Sequence, residues 1–454
     1  MRNSQNTATV TFDEALDSRP LARFSIAIFI VCLLVLVCDG MDAQLLGIVA
    51  PLVIEEYGVD RGTFGIAMSA ALVGFGLGSW GGGWLGDTSG RRTALALATV
   101  LFSLATIGAS WSGDVWQMAI WRLVGGVGFG AAYANAITLA SEWLPERWRP
   151  IGVTTLSVGT PAGGLVVAAL TPTMVEALGW RGTFIAIGAA TLLVVLLIVF
   201  VLRDSPSFLM ARDRVEAAHS AAGKVLEQPF ALRADRETSD GTGSIGVFAP
   251  SNFRLNIGVG LAFAAATLVA YGILNWSTTF LLTKNLAFEQ ASYAVSVAGL
   301  TSIGGSIAVG ALVQRFGTRR VQLTISTVLL ASLVALAAVL EGLQDTPTET
   351  ERLVVFSLIG LCGALFSGAI ASFYALMAFA YPPSCRSAGI GFGLFVGRAG
   401  AIAASGLGGA LIDLGAGSLL PFFAVLCLAA VLIFAAIFIV DRHVQPAAVR
   451  RVPA

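Results

Sequence analysis

Hydrophobic residues run through this chain in long blocks, broken by short polar stretches. A bilayer span needs about 20 mostly apolar residues. That rule marks twelve segments, with approximate bounds 24–50, 62–83, 92–112, 115–140, 150–172, 181–202, 253–281, 290–312, 321–341, 352–380, 386–412 and 417–440. Each is long enough to cross as an α-helix, which satisfies its own backbone. One long polar stretch, 203–252, separates the sixth segment from the seventh. It reads as a short amphipathic helix followed by a flexible linker around Thr238–Ile245.

The blocks also repeat. Gly83-Trp-Leu-Gly-Asp87-Thr-Ser-Gly90-Arg91-Arg92 follows the second segment, and Gly310-Ala-Leu-Val-Gln-Arg315-Phe-Gly317-Thr-Arg319-Arg320 follows the eighth. The expected fold is therefore an all-α membrane protein of two pseudo-symmetric six-helix bundles, 24–202 and 253–440, joined by the polar loop 203–252. The tails are 1–23 and 441–454.

Composition agrees with the pattern and removes other classes. The 454 residues are 56% hydrophobic and 12% charged, against a quarter charged in ordinary soluble domains. A soluble multidomain enzyme is excluded. With 27 basic and 27 acidic residues and no basic block, so is a nucleic-acid binder. Residues 1–23 carry Asp13, Glu14 and Asp17 and precede no small-residue cleavage site, so the first span reads as retained. Five cysteines without paired spacing read as reduced packing residues.

Lys and Arg set the orientation. With both termini in the cytoplasm, 21 of the 27 fall on the cytoplasmic side and 4 outside (Arg61, Arg181, Lys284 and Arg352). The remaining two, Arg122 and Arg398, lie inside spans.

The stretch 83–92 resembles the loop signature G-x-L-[AG]-D-x-x-G-R-[RK] of the major facilitator superfamily, and its degraded copy has Gln314 where the first half has Asp87. A narrower resemblance lies in Asp39-Gly40-Met41-Asp42, similar to the D-G-x-D motif of the aromatic acid:proton symporters. Trp121-Arg122, Tyr133, Asn135, Glu142, Tyr381-Pro382, Arg386, Gly389 and Gly397-Arg398 support it. The resemblance implies a carrier of the bacterial inner membrane that imports a small aromatic carboxylate, such as a hydroxybenzoate or benzoate, together with protons. A monomer without a cofactor is expected, and no enzymatic activity, since the sequence shows no nucleophile–base pair or metal cluster. The resemblance also implies a cytoplasmic latch of Gly83, Asp87, Gly90, Arg91, Arg92, Glu142, Arg149, Arg315 and Arg386. A carrier of another solute (a non-aromatic organic acid, a sugar or an exported drug) is the alternative, and a sensor built on the same fold is a further one.

The residues themselves narrow the chemistry. Asp39, Asp42, Arg122 and Arg398 are the charges inside spans, where each costs at least about 2.5 kcal/mol. Asp39 and Asp42 are one helical turn apart and share a face. Two close carboxylates in low dielectric resist joint ionisation, as a proton carrier requires. The bland reading of Asp42 is a cap at the outer end. By helical rise, Asp39 lies roughly 22 Å along its helix and Arg122 roughly 10 Å from the outer face. An ion pair of Arg122 with either acid fits, as a permanent structural bond or as a switch. Arg398 lies roughly 18 Å along its helix, near the midplane. There a guanidinium can clamp a carboxylate or serve as a structural partner.

Gln44, Tyr133, Asn135 and Asn275 are polar side chains in spans that need partners. Together with the aromatics Trp276 and Tyr374 they are the candidate substrate contacts. Both histidines, His219 and His443, fall in loop segments without metal-ligand neighbours, so coupling must rest on carboxylates and no metal site is expected. The glycine runs invite a phosphate-loop reading, but no strand precedes them, and they read as close helix packing.

Overall fold

The computed structural model describes residues 9–10, 12–226, 231–232, 246–344, 346–381 and 385–445. Among them, eleven helical stretches are long and apolar enough to span a membrane, and one, 56 residues from Glu146 to Val201, is two spans in one. Gly179, at φ 67° and ψ 173°, breaks it. Twelve helices result. They are α1 (Arg23–Tyr57), α2 (Arg61–Ser89), α3 (Arg91–Ala109), α4 (Val115–Glu142), α5 (149–178), α6 (180–201), α7 (Phe253–Thr283), α8 (Phe288–Phe316), α9 (Thr318–Glu341), α10 (Glu349–Ala380), α11 (Arg386–Leu414) and α12 (Leu420–Ile439). Twelve crossings bring the two chain ends to one face, called here the terminal face.

Side chains at the helix ends stop the spans. Asp60 accepts from the Thr63 N–H at 2.7 Å and starts α2, and Asp114 accepts from the Trp116 and Gln117 N–H groups to start α4. Thr348 and Glu351 form a reciprocal capping box on α10. Between α2 and α3 the chain turns on Gly90 at φ 100°, and between α8 and α9 on Gly317 at φ 81°. Both values lie where a Cβ is strained, so the glycines of the repeated motif mark equivalent tight turns in the two halves.

Small residues set the close packing. A Cβ on Gly78 would lie 2.0 Å from the Val127 carbonyl oxygen, and one on Gly130 2.0 Å from that of Phe75, so α2 and α4 touch backbone to backbone. The same occurs between α1 and α5 at Gly40 and Gly163, between α7 and α11 at Gly400, and between α8 and α10 at Gly305 and Gly363. These pairs are related by the six-helix repeat. We expect Gly78→Val to cost about 3 kcal/mol, the upper end of overpacking costs. A thermal melt in detergent reads this as a lowered Tm, and an unchanged melt contradicts it.

The halves meet through α2 and α11, α5 and α8, and α1 and α7. Their side-chain contacts cluster toward the face opposite the termini. Arg61 bonds Asp413 at 2.6 Å, Ser292 Oγ donates to the Ala168 carbonyl at 2.6 Å, and Gly47 packs on the Asn275 backbone. At the terminal face the described ionic contacts of the 83–92 motif stay within the first half and the segment after it. Among the described residues, the ion pair and hydrogen bonds that join the halves thus lie toward the far face.

The polar stretch 203–252 contributes two short helices, Pro206–Ala211 and Val215–Ala222. This differs from the single amphipathic helix expected, because the chain turns through Asp213 at φ 57°. The linker expected at Thr238–Ile245 lies outside the described residues. Residues Thr9–Val10 and Ala231–Leu232 pair as a two-residue parallel bridge.

Candidate functional site

A cavity of about 170 Å³ lies between the halves. Its wall takes Asp39 from α1, Phe75 from α2, Arg122 and Tyr133 from α4, Thr160 from α5, Tyr271 and Asn275 from α7, and Arg398 from α11. Thus five of the residues marked in the sequence, Asp39, Arg122, Tyr133, Asn275 and Arg398, share one chamber.

The two acids of α1 part company there. Asp42 is 1% exposed and is held by Arg122, whose Nη1 donates to Oδ2 at 2.5 Å. Thr106 Oγ1 donates to the other carboxylate oxygen at 2.5 Å. Arg122, 4% exposed, keeps its Nε without a bonding partner. Asp39 is 3% exposed and accepts only a 3.2 Å bond from Thr160 Oγ1 among the described contacts. It lies in the field of both Arg398 and Arg122. Of the two ion pairs the sequence allowed, the structure forms Asp42–Arg122, because Asp42 points toward α3 and α4.

Arg398 has no carboxylate within ion-pair distance among the described residues. Its Nη1 donates to the Tyr271 hydroxyl at 3.3 Å, and its guanidinium carbon lies 3.8 Å from the centre of the Phe75 ring. An exposed cation would be hydrated, whereas this one rests on one phenol and a ring face.

Two expected contacts fall elsewhere. Asn135 Nδ2 donates to the carbonyls of Gly82 and Ala131 at 2.8 Å each, tying α4 to α2 away from the cavity. Trp276 is fully buried and its Nε1 donates to the Ala404 carbonyl at 3.1 Å, bracing α7 on α11. Both polar groups find a neighbouring helix's backbone instead of a ligand. Gln44 is buried, with its side chain against Gly164 and its Oε1 unpartnered, but it does not line the cavity. Tyr374 stands just behind the wall, edge-on to Phe263 at 5.4 Å. Phe75, Thr160 and Ser157 line the cavity without having been marked.

At the terminal face the motif residues form a network. Arg91 bonds Asp87 at 2.5 Å and Glu142 at 3.2 Å. The Arg92 N–H donates to Asp204, and Arg212 reaches the Asp87 carbonyl. Arg149 bonds Asp13 at 2.8 Å, beside Phe12 and Phe24 packed edge-on to Trp143. Gly83 sits one turn before Asp87 on α2, and Gly90 packs on Asp204. Arg315 lies over its neighbour Phe316, 5.3 Å from the ring centre. The Arg386 side chain lies outside the described residues. His443 lies just past α12, and burial lowers its proton affinity below the usual histidine range. Among the described residues no group of three potential ligands gathers to hold a metal ion.

The model of the Major Facilitator Superfamily matches residues 32–347 of this sequence. The chain belongs to that superfamily. Its curated relatives include a gallate transporter of Pseudomonas putida, 30% identical over 91% of this chain and 92% of the relative. They also include the 4-hydroxybenzoate transporter PcaK of the same organism, 27% identical over 91% and 93%. The crystal structure of a D-xylose–proton symporter superimposes with a TM-score of 0.71 at 16% identity, covering 93% of this chain and 98% of that one. That likeness establishes the superfamily fold. The superfamily and its relatives are transporters, so this chain is an integral membrane transporter and not an enzyme.

Proposed function

We propose that this protein is a proton-coupled symporter that imports a small aromatic carboxylate across the bacterial inner membrane by alternating access. The observation that carries the reading is the Arg398 guanidinium, without a carboxylate partner among the described residues and set among tyrosines and a phenylalanine in the same chamber as Asp39. Arg398 is the anchor for the carboxylate, which it can take bidentately. Tyr133 and Tyr271 supply apolar faces for a ring, with Asn275 as a polar contact. Asp39, held by one hydroxyl, is the proton-accepting group, and the Asp42–Arg122 pair fixes the potential beside it. Relatives named for gallate and 4-hydroxybenzoate support an aromatic acid as substrate.

The terminal face is assigned to the cytoplasm by the excess of Lys and Arg in its segments. The structure is then inward-facing. Residues 24–202 and 253–440 act as two bodies that rock about the cavity, with 203–252 as their tether. The network of Gly83, Asp87, Gly90, Arg91, Arg92, Glu142 and Arg149 keeps the first half rigid at its cytoplasmic end. Arg315 and Arg386 approach it when that side closes. One chain contains the whole cavity, so the monomer is the transporting unit.

Uptake of labelled 4-hydroxybenzoate into proteoliposomes tests the proposal. Accumulation driven by an imposed pH difference and abolished by a protonophore is the expected result. Protonophore-insensitive equilibration, or no uptake of any aromatic acid, contradicts it. We further expect Arg398→Gln to weaken substrate binding by about 100-fold, the upper range for a charged hydrogen-bonding partner. Calorimetric titration checks this, with the corresponding aromatic amide binding both proteins equally weakly.

A further inference from the structure

The contact between Phe75 and Arg398 joins the two halves. Phe75 belongs to α2, in the first half, and Arg398 to α11, in the second. These helices run antiparallel along a seam that starts at the face opposite the termini. Arg61 bonds Asp413 there. Next, a Cβ on Gly62 would lie 3.2 Å from the Ala410 Cβ, and one on Gly65 2.2 Å from the Gly406 carbonyl oxygen. As the number on α2 rises, the number on α11 falls. Continued in that register, the seam reaches Phe75 and Arg398, whose guanidinium carbon is 3.8 Å from the ring centre. The pair is the inner end of the seam, where it opens into the cavity.

A guanidinium stacked on a ring is held through its face, and its N–H groups, which lie in its plane, stay free to bond. Among the described residues only Nη1 is engaged, with Tyr271. The ring is itself steadied by Tyr133, 5.7 Å away between centroids. We propose that Phe75 is a positioning residue that orients Arg398 for the carboxylate only while the α2–α11 seam is shut. The anchor is then complete only when the two halves meet at the outer side. By linkage, a carboxylate that binds the oriented guanidinium more tightly must itself favour closure of that seam. Phe75 thus ties recognition to the movement that occludes the substrate.

This inference rests on Arg398 as the carboxylate anchor. The test compares the full-length wild type, Phe75→Leu, Phe75→Met, Phe75→Trp and Arg398→Gln by calorimetric titration with 4-hydroxybenzoate. Leu and Met fill the space without a ring, so either one serves if the other fails to fold. Both are expected to raise the Kd about 5- to 30-fold, the scale of a desolvated cation–π contact. Phe75→Trp restores binding to within about 3-fold, because its ring face is the better partner. A second readout separates positioning from simple packing. Gly62→Cys with Ala410→Cys places two thiols across the seam at disulfide range. Substrate is expected to speed their oxidative cross-linking in the wild-type background and to leave the rate unchanged with Phe75→Leu. Leu and Met variants that bind as tightly as wild type, or more tightly, overturn the inference. So does a cross-linking rate that still responds to substrate in Phe75→Leu. Unaltered binding by Arg398→Gln overturns the underlying reading of the anchor instead.

Discussion

Asp39→Asn is expected to abolish uphill transport while leaving substrate exchange intact. Asp39 is buried, shares the cavity with Arg398, and accepts a hydrogen bond from Thr160 Oγ1. Asparagine keeps an oxygen to accept that bond and has nearly the same shape. It lacks the negative charge and the ability to gain and lose a proton. Each pH unit across the membrane supplies about 1.36 kcal/mol per proton carried, enough for tenfold accumulation of a co-transported solute. In proteoliposomes with a one-unit gradient, the wild type should therefore concentrate 4-hydroxybenzoate about tenfold per proton. Asp39→Asn should stop at equal concentrations on the two sides. Counterflow of unlabelled for labelled substrate should proceed within a few-fold of the wild-type rate, since it needs no net proton movement. The pH dependence of uptake should flatten as well. Tenfold accumulation by the variant would place the coupling site elsewhere.

The same chamber shows what could be read in the sequence. The spans are legible because each is a long, predominantly apolar block, and the fold follows from their number and from the repeated glycine-rich turn. The break between the fifth and sixth spans is read from sequence within residues 173–180, and Gly179 is where the helix is interrupted. The intramembrane charges were legible because their insertion cost makes them conspicuous. Their partners were less so. Spacing placed Asp39 and Asp42 on one face, yet a turn of helix is enough to aim one at Thr160 on α5 and the other at Thr106 and Arg122. Asn135 stands out because a polar group in a span needs a partner, and Trp276 as an aromatic face for a planar substrate. The partner each finds is a backbone carbonyl on an adjoining helix, which only the close approach of glycine-lined helices supplies. Phe75 carries no such mark. An aromatic between Gly74 and Gly76 in an apolar helix reads as packing until the opposing Arg398 is known.

Breaking the Asp42–Arg122 pair from one side should be the most damaging change to stability. Both groups are almost wholly buried, and Arg122 already carries an unpartnered Nε. Asp42→Asn leaves its guanidinium without an anion, a loss of about 3–5 kcal/mol for an uncompensated buried charge. A lowered Tm and poor recovery from the membrane should follow. The reverse change, Arg122→Gln, should cost less, because Thr106 still bonds Asp42 and the acid can take up a proton instead of remaining charged. The double variant Asp42→Asn with Arg122→Gln removes both charges at once. Replacing a complete buried pair is often nearly neutral, so its Tm should return to within a few degrees of wild type. Transport should not return with it. Arg122 also lines the cavity and lies in the field that acts on Asp39. A stable but slow double variant separates the pair's structural work from its part in coupling. A double variant as fast as wild type assigns the pair to stability alone, and an Asp42→Asn protein as stable as wild type contradicts the burial argument itself.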